Sequence, residues 1–198
     1  MFNRFWARPT WKNPLYWLPT GFVLSQYFYN VDVISGRSMQ PTLNPDTSSS
    51  RDVAIFHRHA LFTRDIYQRD DIITLRSPED PRRTLIKRII ALEGDVVWTL
   101  PPYPVRDVRV PIGHIWVEGD EPFYSDDSNI FGPVPMALVE SKLVCIIWPL
   151  HRFGRISKAE LPLSRSGPSF RRAMAQFDRE RARESRVTKV EEAHCVKV

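Results

Sequence analysis

Two stretches of this chain carry side chains whose types and spacing could do chemistry together. The first is Ser35-Gly36-Arg37-Ser38-Met39-Gln40-Pro41. Gly36 is turn-capable, and Pro41 forbids a helix and biases Gln40 towards an extended backbone. Ser38 is thus presented on a turn, with Met39 beside it as a flexible apolar neighbour. The second stretch is Leu85-Ile86-Lys87-Arg88-Ile89-Ile90-Ala91-Leu92, two cations inside a β-branched run. Such a run predicts a buried strand. A buried lysine is costly unless its pKa falls or it is paired. Strand alternation puts Lys87 on the face of Leu85 and Ile89. A neutral, desolvated lysine can serve a serine hydroxyl as general base. Each stretch also has a plainer reading. Serines beside Gly and Pro are usually turn residues, and strand cations discourage edge-to-edge aggregation. Arg88 shares its own face with isoleucines, so alternation alone does not choose between the two cations.

The elements that would position these groups are short strands. Runs at Val31–Ile34, Val53–Phe56, Asp71–Leu75, Thr84–Leu92, Val96–Leu100, Val105–Val110, Ile115–Glu118 and Leu143–Trp148 predict strands separated by Pro- and Gly-marked turns. No strand–helix unit repeats, so the fold class is mainly β and antiparallel. The 198 residues suit one domain with appendages, and 17 prolines against 8 glycines favour loops over long helices. Two cysteines are too few for a disulfide framework, and Cys145 lies in an apolar run. His57 and His59 lack partners at metal-site spacing, so neither a metal nor a cofactor is expected.

Both ends differ in character from the middle. Residues 1–12 carry Arg4, Arg8 and Lys12 with no acid, and residues 13–31 hold no formal charge. Nineteen uncharged residues approach the length of a membrane span. Pro14, Pro19 and several polar residues dilute the stretch, while its aromatics suit a membrane interface. A membrane anchor, a cleaved targeting peptide and a buried helix all fit. Without a small-residue cleavage pattern we expect an uncleaved anchor over residues 1–31, its cationic end on the side of synthesis or the matrix. A β domain follows at 32–156. Residues 157–198 form a basic extension, expected to be a solvated helix or disordered and separate from the core. The net charge of +5 is modest for the size, but a sequence pI of about 9.4 raises the possibility of a nucleic-acid binder. The cations cluster at the two ends without an aromatic-and-basic reading motif, so nucleic acid is not the expected partner.

Three boxes occur in order: S-M-x-P-T-L from Ser38 to Leu43, K-R-x-x-x-x-x-G-D from Lys87 to Asp95, and S-D-D-S-N-x-F-G-P-V from Ser125 to Val134. Together they resemble the type I signal peptidases, membrane-bound proteases with a Ser-Lys dyad. Asn129 and the Leu43-Asn44-Pro45 sequence resemble the mitochondrial inner-membrane branch of that family. The resemblance covers roughly Leu15 to Gly154.

It implies Ser38 as nucleophile, Lys87 as general base, Ser125 as the hydroxyl that orients the lysine, and Asp127 as supporting carboxylate. The backbone N–H of Ser38 is the implied oxyanion donor. Some relatives place a serine two residues before the nucleophile, where this chain has Gly36. The usual arginine partner of Asp127 is replaced by Asn129, so Asp127 needs Arg88 or a backbone donor. Val33, Ile34, Gly36, Met39 and Pro41 are the expected substrate-binding residues. An extended precursor would add to the strand that ends beside Ser38. The resemblance further implies an inner-membrane endopeptidase facing the intermembrane space, removing hydrophobic sorting segments from precursor proteins. Its partners would be membrane lipid and a homologous peptidase subunit, subunit 1 of a heterodimer. A catalytically silent β module that stabilises such a subunit is the alternative reading.

Overall fold

Helix α1 (Trp17–Tyr27) runs into β1 (Tyr29–Val33), followed by β2 (Val53–His57), β3 (Ile72–Arg76) and β4 (Thr84–Ala91). Next come β5 (Val96–Trp98), β6 (Asp107–Arg109), β7 (His114–Glu118), a short α2 (Ser128–Phe131) and β8 (Val134–Pro135). The ten-residue β9 (Val139–Trp148), α3 (Pro168–Glu184) and β10 (Val187–Thr188) complete the order. The computed structural model describes residues 17–46, 48, 50–58, 67–156 and 168–189. Seven strands form one sheet in the order β1-β2-β9-β3-β4-β7-β8, and three form a second, β10-β5-β6. Every pairing is antiparallel, as the sequence pattern predicts.

β4 lies inside the large sheet, and both of its faces are buried over its second half, which explains its near-continuous apolar run. Lys87 stands opposite Ile73 of β3, and Arg88 opposite Ile72 of β3 and Glu118 of β7. Pairing with β7 begins only at Arg88. Among the described residues, the preceding part of β4 therefore has a strand on its β3 side alone. β1 is the terminal strand at the opposite end of the sheet order.

Among the described residues the core has three apolar clusters. One packs Ile73, Leu75, Ile89, Ile115 and Val117 between the central strands. Another joins Ile34, Met39 and Leu43 to Ala54 and Phe56, so the apolar residues flanking Ser38 root its turn in the sheet. The third gathers Val97, Val110 and Trp116 around the small sheet, with Val187 of β10 packed against it.

At the N-terminus, α1 has 11 residues and exposes Trp17, Leu18, Phe22 and Tyr27. Among the described residues no helix is long and apolar enough to cross a membrane. The first 16 residues of the expected anchor lie outside those described, as do residues 59–66 before β3.

The C-terminal extension corrects the expectation of a segment apart from the core. α3 is helical, yet β10 pairs with β5 and Val187 joins the third cluster. Arg183 and Arg186 also form ion pairs with Asp120 and Glu118. A two-residue strand and two arginines dock this segment, and neither leaves a hydrophobic period in the sequence.

Candidate active site

The turn carrying Ser38 is closed at its base by polar bonds. The Ile34 amide donates to the Asp52 carbonyl at 2.8 Å, and the Asn44 side chain donates to the Ile34 carbonyl at 2.8 Å. Asn44 and Asp52 exchange two further bonds, at 2.7 and 2.8 Å. Arg152 clamps the buried Asp52 carboxylate and donates to the Thr42 carbonyl at 2.6 Å. Gly36 holds φ +93°, a left-handed conformation that strains any residue with a Cβ. These restraints deliver Ser38 half-buried at the head of the turn. Its carbonyl accepts from the Glu121 amide at 3.0 Å. Among the described residues nothing accepts the Ser38 amide.

Lys87 is 1% exposed, and its Nζ donates to Ser125 Oγ at 2.9 Å. Burial pulls the lysine pKa down to about 8, helped by the charge of Arg83. The carboxylates of Asp127, Asp126 and Asp120 oppose that shift by favouring the ammonium. Arg88, which alternation could not separate from Lys87, is committed elsewhere. It grips Asp120 with two bonds at 3.0 and 2.8 Å and donates to the Asp70 carbonyl at 3.1 Å. Thus the lysine hydrogen-bonds a hydroxyl and the arginine a carboxylate.

Gly119 lies close to both the Ser38 turn and Ser125. A Cβ added there would lie 2.1 Å from Ser125 Oγ and 2.6 Å from the Ser38 carbonyl oxygen. The Gly119 amide donates to Asp127 Oδ2 at 3.2 Å. Asp127 also caps α2, accepting from the Asn129 amide and side chain at 3.0 and 3.1 Å. The carboxylate thus finds backbone and amide donors rather than Arg88. Asn129 meanwhile accepts from the Leu100 amide at 2.8 Å and donates to Glu118 at 3.2 Å.

A groove of about 850 Å³ runs up to Ser38. Its lining includes Val33, Ile34, Gly36 and Met39, Thr84, Leu85 and Ile86 of β4, and Tyr124. Ile34 and Met39 are each 3% exposed, so they belong to the core as well as to the groove. Pro41 is not brought to it and sits instead in a crevice with Thr42, Asp120 and Gln176 of α3. Gly119, Leu85, Ile86 and Tyr124 are not among the site residues expected from the sequence. Leu85 and Ile86 directly precede Lys87 on its strand, and that adjacency was the available signal.

A mainly β body with a turn-borne serine and a buried, hydroxyl-bonded lysine defines the class, and the chain belongs to the signal peptidase family, peptidase S26. The family model matches residues 14–101, which include Ser38 and Lys87. Within the family, the chain is 43% identical to mitochondrial inner membrane protease subunit 2 of Schizosaccharomyces pombe over 141 residues, 71% of this chain and 76% of the relative. Its identity to the Danio rerio protein of the same name is 44% over 146 residues, 74% of this chain and 75% of that protein. It is also similar to mitochondrial inner membrane protease subunit 1 of S. pombe, at 34% over 126 residues, 64% of this chain and 78% of that one.

Proposed function

We propose that this chain is a membrane-held serine endopeptidase of the mitochondrial inner membrane that cleaves hydrophobic sorting segments from precursors, with Ser38 as nucleophile and Lys87 as base. The carrying observation is the Lys87 amine, buried, bonded to Ser125 Oγ and held at a pKa of about 8. A serine hydroxyl needs such a base because its own pKa leaves it a weak nucleophile.

Lys87 Nζ takes the Ser38 proton as Oγ attacks the scissile carbonyl carbon. The Ser38 amide donates to the oxyanion, a role suited to its lack of an acceptor among the described residues. When the tetrahedral centre collapses, the C–N bond breaks and the Lys87 ammonium protonates the leaving amine. Water then attacks the acyl ester while Lys87 takes its proton. That proton returns to Ser38 Oγ as the new carboxylic acid leaves and ionises in water. Ser125 keeps the amine aimed throughout, and Asp127 holds the Gly119 corner without bonding the lysine.

The substrate enters extended, between the β1 edge and the Thr84–Ile86 side of β4. Inward bonds at Ile34 and Phe28 leave, by alternation, the N–H and C=O of Val31 and Val33 pointing out from the β1 edge. Residues 1–31 serve as the anchor, 32–156 as the catalytic body facing the intermembrane space, and a subunit-1-type peptidase as the partner.

The test is cleavage of a peptide spanning a sorting-signal junction by the full chain, paired with a partner whose own nucleophilic serine is replaced by Ala. Ser38→Ala should leave no turnover. Undiminished cleavage by that variant rejects the assignment, and no cleavage by the native chain favours the silent scaffold.

A further inference from the structure

Two carboxylates that ordinarily stay at the surface are buried on either side of Gly119. Glu118 is 4% exposed and Asp120 2%. Burial raises both pKa values, and the guanidinium groups bonded to them outweigh it, so both carboxyls lie below their ordinary range. Asp120 already has a bidentate partner in Arg88, from within the sheet. Glu118 does not: among the described residues its ion-pair partner is Arg186, beyond the end of α3.

The geometry of the C-terminal segment is that of a clamp. Arg186 donates to both Glu118 oxygens, at 3.0 and 2.6 Å, and to the Trp98 carbonyl at 3.2 Å. Its own carbonyl accepts from the Trp98 amide at 2.8 Å, and the next two residues pair with Val97 and Val96 of β5. Arg183 grips Asp120 through both the carboxylate, at 2.7 Å, and the main-chain carbonyl, at 3.3 Å. The main-chain bond goes beyond charge compensation, which Arg88 supplies already, and fixes the backbone at residue 120. One residue away, Gly119 packs against Ser125 Oγ and the Ser38 carbonyl, and Glu121 donates to that same carbonyl.

We infer that Arg183 and Arg186 are positioning residues for catalysis: the α3–β10 segment is an internal strap holding the Glu118–Gly119–Asp120 corner against Ser38 and Ser125. Neither arginine lines the groove that runs up to Ser38. They act through the corner, whose displacement would move the serine turn and the hydroxyl that aims Lys87. A misplacement near 1 Å can cost about a hundredfold in rate. The inference rests on the Ser38–Lys87 reading and adds to the active centre a segment that follows the rest of the catalytic body in sequence.

The experiment uses the full chain with its serine-inactivated partner, comparing Arg183→Gln and Arg186→Gln with the native chain. Both should lower kcat about ten- to a hundredfold while leaving KM within about twofold, because the groove is untouched. Thermal unfolding establishes that each variant is folded at the assay temperature. Should Arg186→Gln fail to fold because Glu118 is left bare, the double variant Glu118→Gln/Arg186→Gln removes both charges and avoids that penalty. It should show the same loss of kcat with KM preserved. Native kcat in a folded variant, or a raised KM with kcat kept, overturns the strap. Ser38→Ala is assayed alongside: if it still cleaves, the dyad and the strap fall together. If Ser38→Ala is dead and the folded arginine variants keep native kcat, only the strap falls.

Discussion

Ser125 Oγ and the Ser38 carbonyl oxygen border the same small volume, the space that a Cβ on Gly119 would fill. The two serines are 87 positions apart in sequence, and glycine lets them share one corner. Gly119→Ala would set its methyl 2.1 Å from Ser125 Oγ and 2.6 Å from the Ser38 carbonyl. Backbone cannot yield cheaply, so Ser125 would move off Lys87. We predict a loss of kcat of more than about a hundredfold, with overpacking costing about 1–3 kcal/mol of stability. Ser125→Ala should lower kcat similarly while leaving the unfolding midpoint near native, since it removes one hydroxyl without adding volume. Paired kinetics and thermal melts of the two variants separate loss of aim from loss of fold.

Arg88→Lys is expected to retain catalysis and lose stability. The guanidinium makes two bonds to Asp120 and others to the Asp70 carbonyl and Thr42, the last at 3.4 Å. An ammonium cannot reproduce that planar fork. A loss of about 2–3 kcal/mol follows from forfeited charged hydrogen bonds in a buried setting. Denaturant unfolding measures it, and an unchanged midpoint would show that lysine satisfies Asp120 equally well.

Much of this site was legible because its chemistry sits in contiguous boxes. The strand around Lys87 and the turn around Ser38 announce themselves locally, through β-branched runs and Gly–Pro punctuation, whereas the α2 cap at Asp127 spans too few residues to show a helical period. What distinguishes Lys87 from Arg88 was not local. Their environments are set by Ser125 and Asp120, 38 and 32 positions away, so only tertiary pairing separates them. Pro41 read as a groove residue because it neighbours Ser38 in sequence, but the turn carries it round to the α3 side. The two-residue strands β8 and β10 are too short to show a period of two. Docking of the basic tail depends on single arginines meeting buried carboxylates, and a composition reading averages those residues into a charged face.

A proline at position 33 tests how substrate binds. The N–H of Val33 points away from β2, so proline there sacrifices no sheet bond. The variant should fold, with an unfolding midpoint close to native. It should nevertheless raise KM several-fold, because an added substrate strand would lose one of its main-chain donors at the β1 edge. Native KM in a folded Val33→Pro chain would show that the precursor does not pair with this edge.

Lys87 gives the sharpest test, because activity and stability should respond to pH in linked ways. As the proposed base, Lys87 works only when neutral, so kcat/KM should rise with pH and level off above about 8, the value to which burial lowers this amine. Below that point the rate should fall about tenfold per unit. Folding depresses the lysine pKa from 10.5 to about 8, so between those values the unfolded chain holds a proton that the folded chain has released. Stability contributed by Lys87 is therefore fully present above 10.5 and lost as pH falls through about 8. Lys87→Met removes the titrating group and should flatten that dependence, while stabilising the fold near neutrality by about 1 kcal/mol or more. Lys87→Met and Lys87→Arg should both be inactive, the first for want of a base and the second because guanidinium keeps its proton at every accessible pH. Kinetics against pH, with thermal melts of the same samples, check all of this together. Turnover by either variant at the native rate, with the partner's serine replaced, would show that the proton goes elsewhere.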